Sequence, residues 1–273
     1  MPLHTPFDQA HGLRTLFAHA RVRFVPVVSN PHVPFAGMLL ERLCTAFAEQ
    51  GASSLVIDAA ENANEPSEMA LLDLGACIEP LSSHVSYIAA RGLPLKFVDA
   101  TGSTRGFLQA AREASPGSQV VLVHASAAEL CRLFGRQRGD EAEDGACPLL
   151  LAADQPASVT HAYAAMKLLA RRAGLLVHEL MLGAAEDSPR AERIAMQIAI
   201  CADDFLGAVL RDWIRVDPAT AAAEPPSAAL RRWVRGRLQP GTPQASPAAP
   251  DNAPFFAPPA GVERFAAANW AFN

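Results

Sequence analysis

The sequence predicts an α/β fold: a doubly wound, mostly parallel sheet with helices on both faces. Three observations predict it. Short aliphatic runs alternate along the chain with longer amphipathic stretches, the order that makes right-handed βαβ crossovers. The run Gln119-Val120-Val121-Leu122-Val123-His124 is almost unbroken in β-branched and aliphatic residues, as in a strand covered on both faces. Residues 22–58 read as strand, loop, helix, strand, the repeating unit of such sheets.

Each element has its own justification. Residues 6–19 read as a short amphipathic helix, because Phe7, Ala10, Leu13, Leu16 and Phe17 recur at helical spacing. Thr5 stands at its cap, Pro6 at its first helical position and Asp8 in its first turn. The first strand covers 22–29. A helix over 36–50 stops at Gly51. The second strand is 53–58, followed by a short helix at 67–74. Residues 85–88 and 95–98 read as strand-like fragments. A helix covers 104–114, a buried strand 119–124 and a helix 127–134. Residues 136–147 form a charged, glycine-containing loop. A strand at 148–152 leads to a long helix over 157–172 with Gly174 as its stop. A strand over 175–182 precedes a helix over 189–202 capped by Ser188. Residues 205–216 are the last extended segment and 227–238 the last helix. From residue 239 the chain is rich in Pro, Ala and Ser and is expected to be disordered. The organisation is thus a segment 1–20, a domain 21–238 and a tail 239–273. No internal repeat is evident.

Composition narrows the function classes. The chain has 273 residues, half of them hydrophobic, enough for one large α/β domain. Its net charge of −5 provides no global field for nucleic acid. Cysteines at 44, 77, 131, 147 and 201 are widely spaced, which suggests reduced thiols rather than a zinc site or a disulfide framework. No apolar h-region opens the chain and no apolar stretch approaches the ~20 residues of a membrane span. A cytoplasmic protein is expected.

The loop after the first strand carries the main functional signal. It reads Asn30-Pro31-His32-Val33-Pro34-Phe35-Ala36-Gly37. A phosphate cradle at this place needs inward backbone N–H groups, glycines for close approach, a lysine for the phosphates and a Ser/Thr for magnesium. Pro31 and Pro34 remove two donors, Val33 and Phe35 add bulk, and the lysine and Ser/Thr slots hold Ala36 and Gly37. The only lysines, Lys96 and Lys167, follow no glycine-rich loop.

Three stretches resemble the FlhG (FleN, YlxH) branch of the MinD/ParA-like P-loop ATPases, which control flagellar number and placement. The first is Asp8-Gln9-Ala10-His11-Gly12-Leu13-Arg14, matching that branch's Asp-Gln-Ala-x-x-Leu-Arg motif. The second is the unit at 22–58. The third runs from Ala153 to Pro218, with Gln155 to Lys167 similar to the passage near the nucleotide base and Phe205 to Asp212 similar to the last core strand. The resemblance implies a P-loop fold over about residues 7–238. It also implies ATP and magnesium, but the residues depart from the family at each chemical station. The second strand ends in Asp58-Ala59-Ala60 where the family has Asp-x-Asp, and His124 stands where the family has a magnesium-holding aspartate. The degenerate site therefore comprises Asn30, Pro31, His32, Ala36, Gly37, Asp58, Ala60 and His124. With cradle, catalytic acid and metal acid all altered, ATP binding and hydrolysis are expected to be lost.

What the resemblance leaves is contact with other proteins. In the family the N-terminal segment binds FlhF, a GTPase related to signal-recognition-particle proteins, and stimulates its hydrolysis. Asp8, Gln9, Leu13, Arg14 and Leu16 are the residues that would do so here, with Gln9 orienting the attacking water. The expected function is a non-catalytic regulator of flagellar biogenesis, with basal-body or regulatory proteins as further partners. Two other readings keep the fold: a weak ATPase still binding ATP, and a scaffold for another polar machine such as a pilus. His32, His124 and Asp58 all fall near strand ends where α/β sheets bind ligands, and read more simply as fillers of a dead pocket than as a metal or catalytic site. Ser126 and Cys44 lack any nucleophile motif. The helix 227–238 sets Leu230, Trp233, Val234 and Leu238 beside Arg231, Arg232, Arg235 and Arg237. It reads either as a surface helix packed on the core or as a contact with an anionic membrane surface through Leu230, Arg231, Trp233 and Arg235, which would make the protein peripheral at the inner membrane or the cell pole.

Overall fold

The architecture comes from a computed structural model that describes residues 22–135, 146–221 and 223–239. The expected helix over 6–19, most of the charged loop and the tail from residue 240 lie outside the described residues.

Eight strands form one sheet: β1 (Arg23–Val28), β2 (Ser54–Ala59), β3 (Glu79–Pro80), β4 (Val85–Ala89), β5 (Val120–Ala125), β6 (Leu149–Ala153), β7 (Val177–Gly183) and β8 (Val209–Val216). Their spatial order is β3-β4-β2-β5-β1-β6-β7-β8. Every pairing is parallel except that of β3 with β4. The six described α-helices are α1 (Ala36–Glu49), α2 (Arg105–Ala114), α3 (Ala127–Phe134), α4 (Pro156–Leu168), α5 (Ala191–Leu206) and α6 (Ala228–Leu238).

The period-two alternation of each strand divides the core into two layers. On β5, Val121, Val123 and Ala125 face the layer containing Phe107 of α2, Leu130 of α3, Met166 of α4 and Ile198 of α5. Val120 and Leu122 face the opposite layer, with Leu39, Leu43 and Phe47 of α1 and Leu230, Trp233 and Val234 of α6. Four helices therefore cover one face and two the other. The doubly wound reading holds.

The structure corrects three local expectations. Residues 95–98 are not a strand; Pro94–Phe97 is a 3-10 turn. Pro94 fixes φ and removes a ladder donor, and Phe97 packs edge-on against Phe107 at 5.3 Å between ring centroids. Phe205 and Leu206 belong to the last turn of α5, which ends at Gly207 with φ 58°, so the last strand starts at Val209. The helix over 157–172 is α4 followed by a π-helical stretch, Leu169–Ala173, closed by Gly174 at φ 66°.

Helix α6 is tied down at its buried face. Leu230 and Trp233 are buried, and Phe47 meets the Trp233 ring at 6.2 Å between centroids. Trp233 Nε1 donates to Glu179 Oε2 at 2.8 Å, and Arg211 and Arg237 also donate to that carboxylate. Arg231 pairs with Glu49 of α1 at 2.8 Å. This corrects the membrane-surface reading of Leu230 and Trp233: their apolar surface is spent on the core. All five cysteines are free thiols. Burial pushes Cys44 up to about 11, which keeps it neutral. Among the described residues, no helix is long and apolar enough to cross a membrane.

Candidate functional site

The parallel strands β2, β5, β1 and β6 end together, and the loop from β1 to α1 lies over their C-terminal ends, the place where open α/β sheets bind ligands. The chain in that loop closes on itself. Asn30 is 4% exposed, and its Nδ2 donates to Leu151 O at 2.9 Å, Ser158 O at 3.0 Å and Ser158 Oγ at 3.0 Å. Its Oδ1 accepts from His32 N at 3.1 Å. Ser158 Oγ in turn accepts from Ala153 N at 2.8 Å. One buried amide thus joins β1, β6 and α4.

Three of the N–H donors in this loop, those of His32, Val33 and Ala36, are already engaged. Val33 N donates to Asn30 O at 3.0 Å and Ala36 N to Val33 O at 3.2 Å. With His32 N held by Asn30 and two prolines lacking N–H, the loop is a pair of turns that consume their own hydrogen bonds. Val33 is buried, whereas Pro31, His32 and Pro34 are not. The Phe35 ring lies so close over Gly183, at the end of β7, that a Cβ there would overlap it. Ala36 and Gly37 begin α1, and nothing stands within 4 Å of the Cβ position of Gly37. The first turn of α1 therefore offers neither a cationic nor a hydroxyl side chain.

Asp58 and His124 are register partners on β2 and β5. Their side chains meet: His124 Nδ1 lies 2.9 Å from Asp58 Oδ1. The same Oδ1 accepts from Ala60 N at 3.3 Å, and Tyr87 OH reaches Oδ2 at 3.5 Å. His124 is 4% exposed and its Nε2 is buried without a partner among the described residues. The Tyr87 hydroxyl is pushed up by burial first and by the neighbouring Asp58 charge second. Ala60 is fully buried. The Asp58 carboxylate is thus occupied by a histidine and a tyrosine, and Ala60 is filled in by packing.

Of the three groups that the sequence placed together, two meet. His32 turns instead to His161 of α4, with ring centroids 5.8 Å apart at 72°. Burial, then the neighbouring His32, pulls His161 down. Among the described residues, no cluster of three or more His, Cys, Asp or Glu side chains forms a metal site. Ser126 caps α3 by accepting from Glu129 N at 3.3 Å. The residues present do not fit a magnesium triphosphate. Two loop positions are prolines, the N–H groups of His32, Val33 and Ala36 are bonded within the loop, the cation and hydroxyl positions are Ala and Gly, and the acid at the β2 end already holds His124.

Sequence reasoning missed Asn30's structural role, His161 and His178. Asn30 was legible only as a loop residue, because its partners lie more than a hundred positions away. His178 is fully buried in β7, and burial, only partly offset by the Leu175 backbone, pulls it down to about 4. Asp8, Gln9, Leu13, Arg14 and Leu16 lie outside the described residues.

No protein-family model matches the chain, and no curated protein sequence does. Solved structures do. MinD cell division protein from Aquifex aeolicus superposes with a TM-score of 0.51 at 15% identity, over 82% of this chain and 100% of that one. The fold is MinD/ParA-like. Apo McdA from Cyanthece gives a TM-score of 0.51 at 13% identity, over 80% of this chain and 100% of that one. A plasmid partition protein from Borrelia burgdorferi B31, solved bound to AMPPNP, gives 0.51 at 8% identity, over 80% and 98%. At these identities the likeness concerns the MinD-like fold alone.

Proposed function

We propose that this chain is a non-catalytic, FlhG-like regulator: a MinD-like domain that has given up ATP and acts through protein contact on an FlhF-type GTPase in flagellar biogenesis. The observation that carries the loss of ATP is the loop at 30–37. The N–H groups of His32, Val33 and Ala36 bond within the loop, Pro31 and Pro34 have none, and Phe35 covers Gly183. The pairing of Asp58 with His124 supports the same reading, since metal and water chemistry needs a free carboxylate there. The partner is supported by the Asp8-Gln9-Ala10-x-x-Leu13-Arg14 motif, which lies outside the altered site. Leu13 and Leu16 would seat in a groove of the GTPase, and Gln9 would position its water. Two readings of the same fold, a weak ATP binder and a scaffold for a pilus or another polar machine, make different predictions. The test is GTP hydrolysis by an FlhF-type protein with and without a peptide of residues 1–20. Stimulation that Gln9→Ala abolishes while binding persists is the expected result. Absence of both binding and stimulation rejects the flagellar reading and leaves the scaffold.

A further inference from the structure

One side of the sheet ends in a surface that the described residues leave uncovered. Strand β8 is the edge strand, so its outer main-chain groups have no ladder partner among the described residues. Beside it, α5 turns out Met196 at 55% and Ile200 at 51% exposure. A depression of about 300 Å³ runs between the two elements, walled by Glu192, Met196 and Ala199 on one side and Leu210, Asp212 and Trp213 on the other. At the foot of this groove, where β7 and β8 begin, Leu176, Val177, Phe205 and Val209 are exposed as well. Apolar residues concentrated on one edge in this way mark a docking surface.

The charge of the surface selects its occupant. Glu192, Asp203 and Asp204 on α5 and Asp212 on β8 are acidic. Arg211 also lines the groove, half-exposed, but its guanidinium is paired with Glu179; Arg193 and Arg215 are the remaining bases of these two elements. The complementary segment is apolar and basic. The chain ahead of β1 has that composition: Gly12-Leu13-Arg14-Thr15-Leu16-Phe17-Ala18-His19-Ala20-Arg21 carries Leu13, Leu16 and Phe17 with Arg14 and Arg21, and contains no acid.

The tether also fits. Strands β1, β6, β7 and β8 are parallel neighbours, so β1 begins at the same end of the sheet as the foot of the groove. Three strand spacings separate β1 from β8, about 14 Å. Ten residues reach about 15 Å as a helix and about 33 Å extended. We propose that residues 12–21 of this same chain occupy the β8–α5 groove. The segment that would seek the GTPase is then held against its own domain, and the partner competes with the groove for Leu13, Leu16 and Phe17. The docking itself does not depend on what the partner is; only the competition rests on the functional reading above.

Hydrogen exchange on the full chain tests it. Amides of residues 12–21 should exchange at least about tenfold more slowly than in a free peptide of residues 1–21. The double variant Met196→Asp/Ile200→Asp, both at exposed positions, should abolish that protection. The variant Leu16→Asp/Phe17→Asp should shift tryptophan emission to the red, as Trp213 in the groove wall loses its cover. Protection should be unchanged by about a hundredfold dilution. Free-peptide exchange rates in the intact chain, or protection indifferent to the groove variant, overturns the proposal. Protection that disappears on dilution overturns it in favour of a second copy. A negative result here with intact GTPase stimulation by the peptide removes the groove and leaves the function standing.

Discussion

Buried polar side chains set the sharpest expectations at the scale of single residues. Asn30 spends its amide on three acceptors of β6 and α4, so Asn30→Ala should cost about 1–3 kcal/mol through the carbonyls it strands, read by urea denaturation. His178 couples the fold to acid. Its pKa is about 4 in the fold against 6.5 for an unburied imidazole, so the unfolded chain binds the extra proton between these values. Stability should be unaffected by this group above about pH 6.5 and fall as pH drops towards 4, by up to about 3 kcal/mol. Glu129 has the opposite sign. Burial, against Arg132, raises its carboxyl to about 7, so its contribution is lost as pH rises from 4.5 through 7. Melts across pH 4–8 of wild type, His178→Leu and Glu129→Gln should show the acid limb flattened in the first variant and the neutral limb in the second. A His178→Leu acid limb as steep as wild type would remove the histidine from the account.

Elements are held to the sheet by interactions the sequence shows only in part. The apolar face of α6 was legible from the spacing of Leu230, Trp233 and Val234, but not that Glu179 of β7 would gather Trp233, Arg211 and Arg237 around one buried carboxylate. Such a hub joins positions far apart in sequence and leaves no local pattern. Glu179→Ala strands those donors and should cost about 3–5 kcal/mol in chemical denaturation. Strands β1, β2, β5 and β6 were legible because buried parallel strands are continuous apolar runs. The Pro94–Phe97 turn was misread because Leu95-Lys96-Phe97-Val98 is strand-like in composition, and only the packing of Phe97 on Phe107 decides against it. The two-residue β3 is too short for periodicity to reveal.

At the scale of the whole molecule, the sheet and its crossovers are MinD-like, and the loop at the strand ends is packed into the scaffold by Asn30, Val33 and Phe35. The replacements at Pro31, Pro34, Ala36, Gly37, Ala60 and His124 were readable from the sequence, because each removes a donor, a charge or a ligand. That the loop's own hydrogen bonds close it, that Asp58 is taken by His124, and that His32 turns to His161 required the fold. The central claim is that the C-terminal end of this sheet no longer holds a nucleotide. Isothermal titration of the full-length protein with ATP in magnesium tests it most directly. The account predicts no saturable heat up to about 100 μM ATP, corresponding to binding weaker than about −5.5 kcal/mol; a dissociation constant well below that, weakened by a charge-reversing substitution at Asp58, would contradict it.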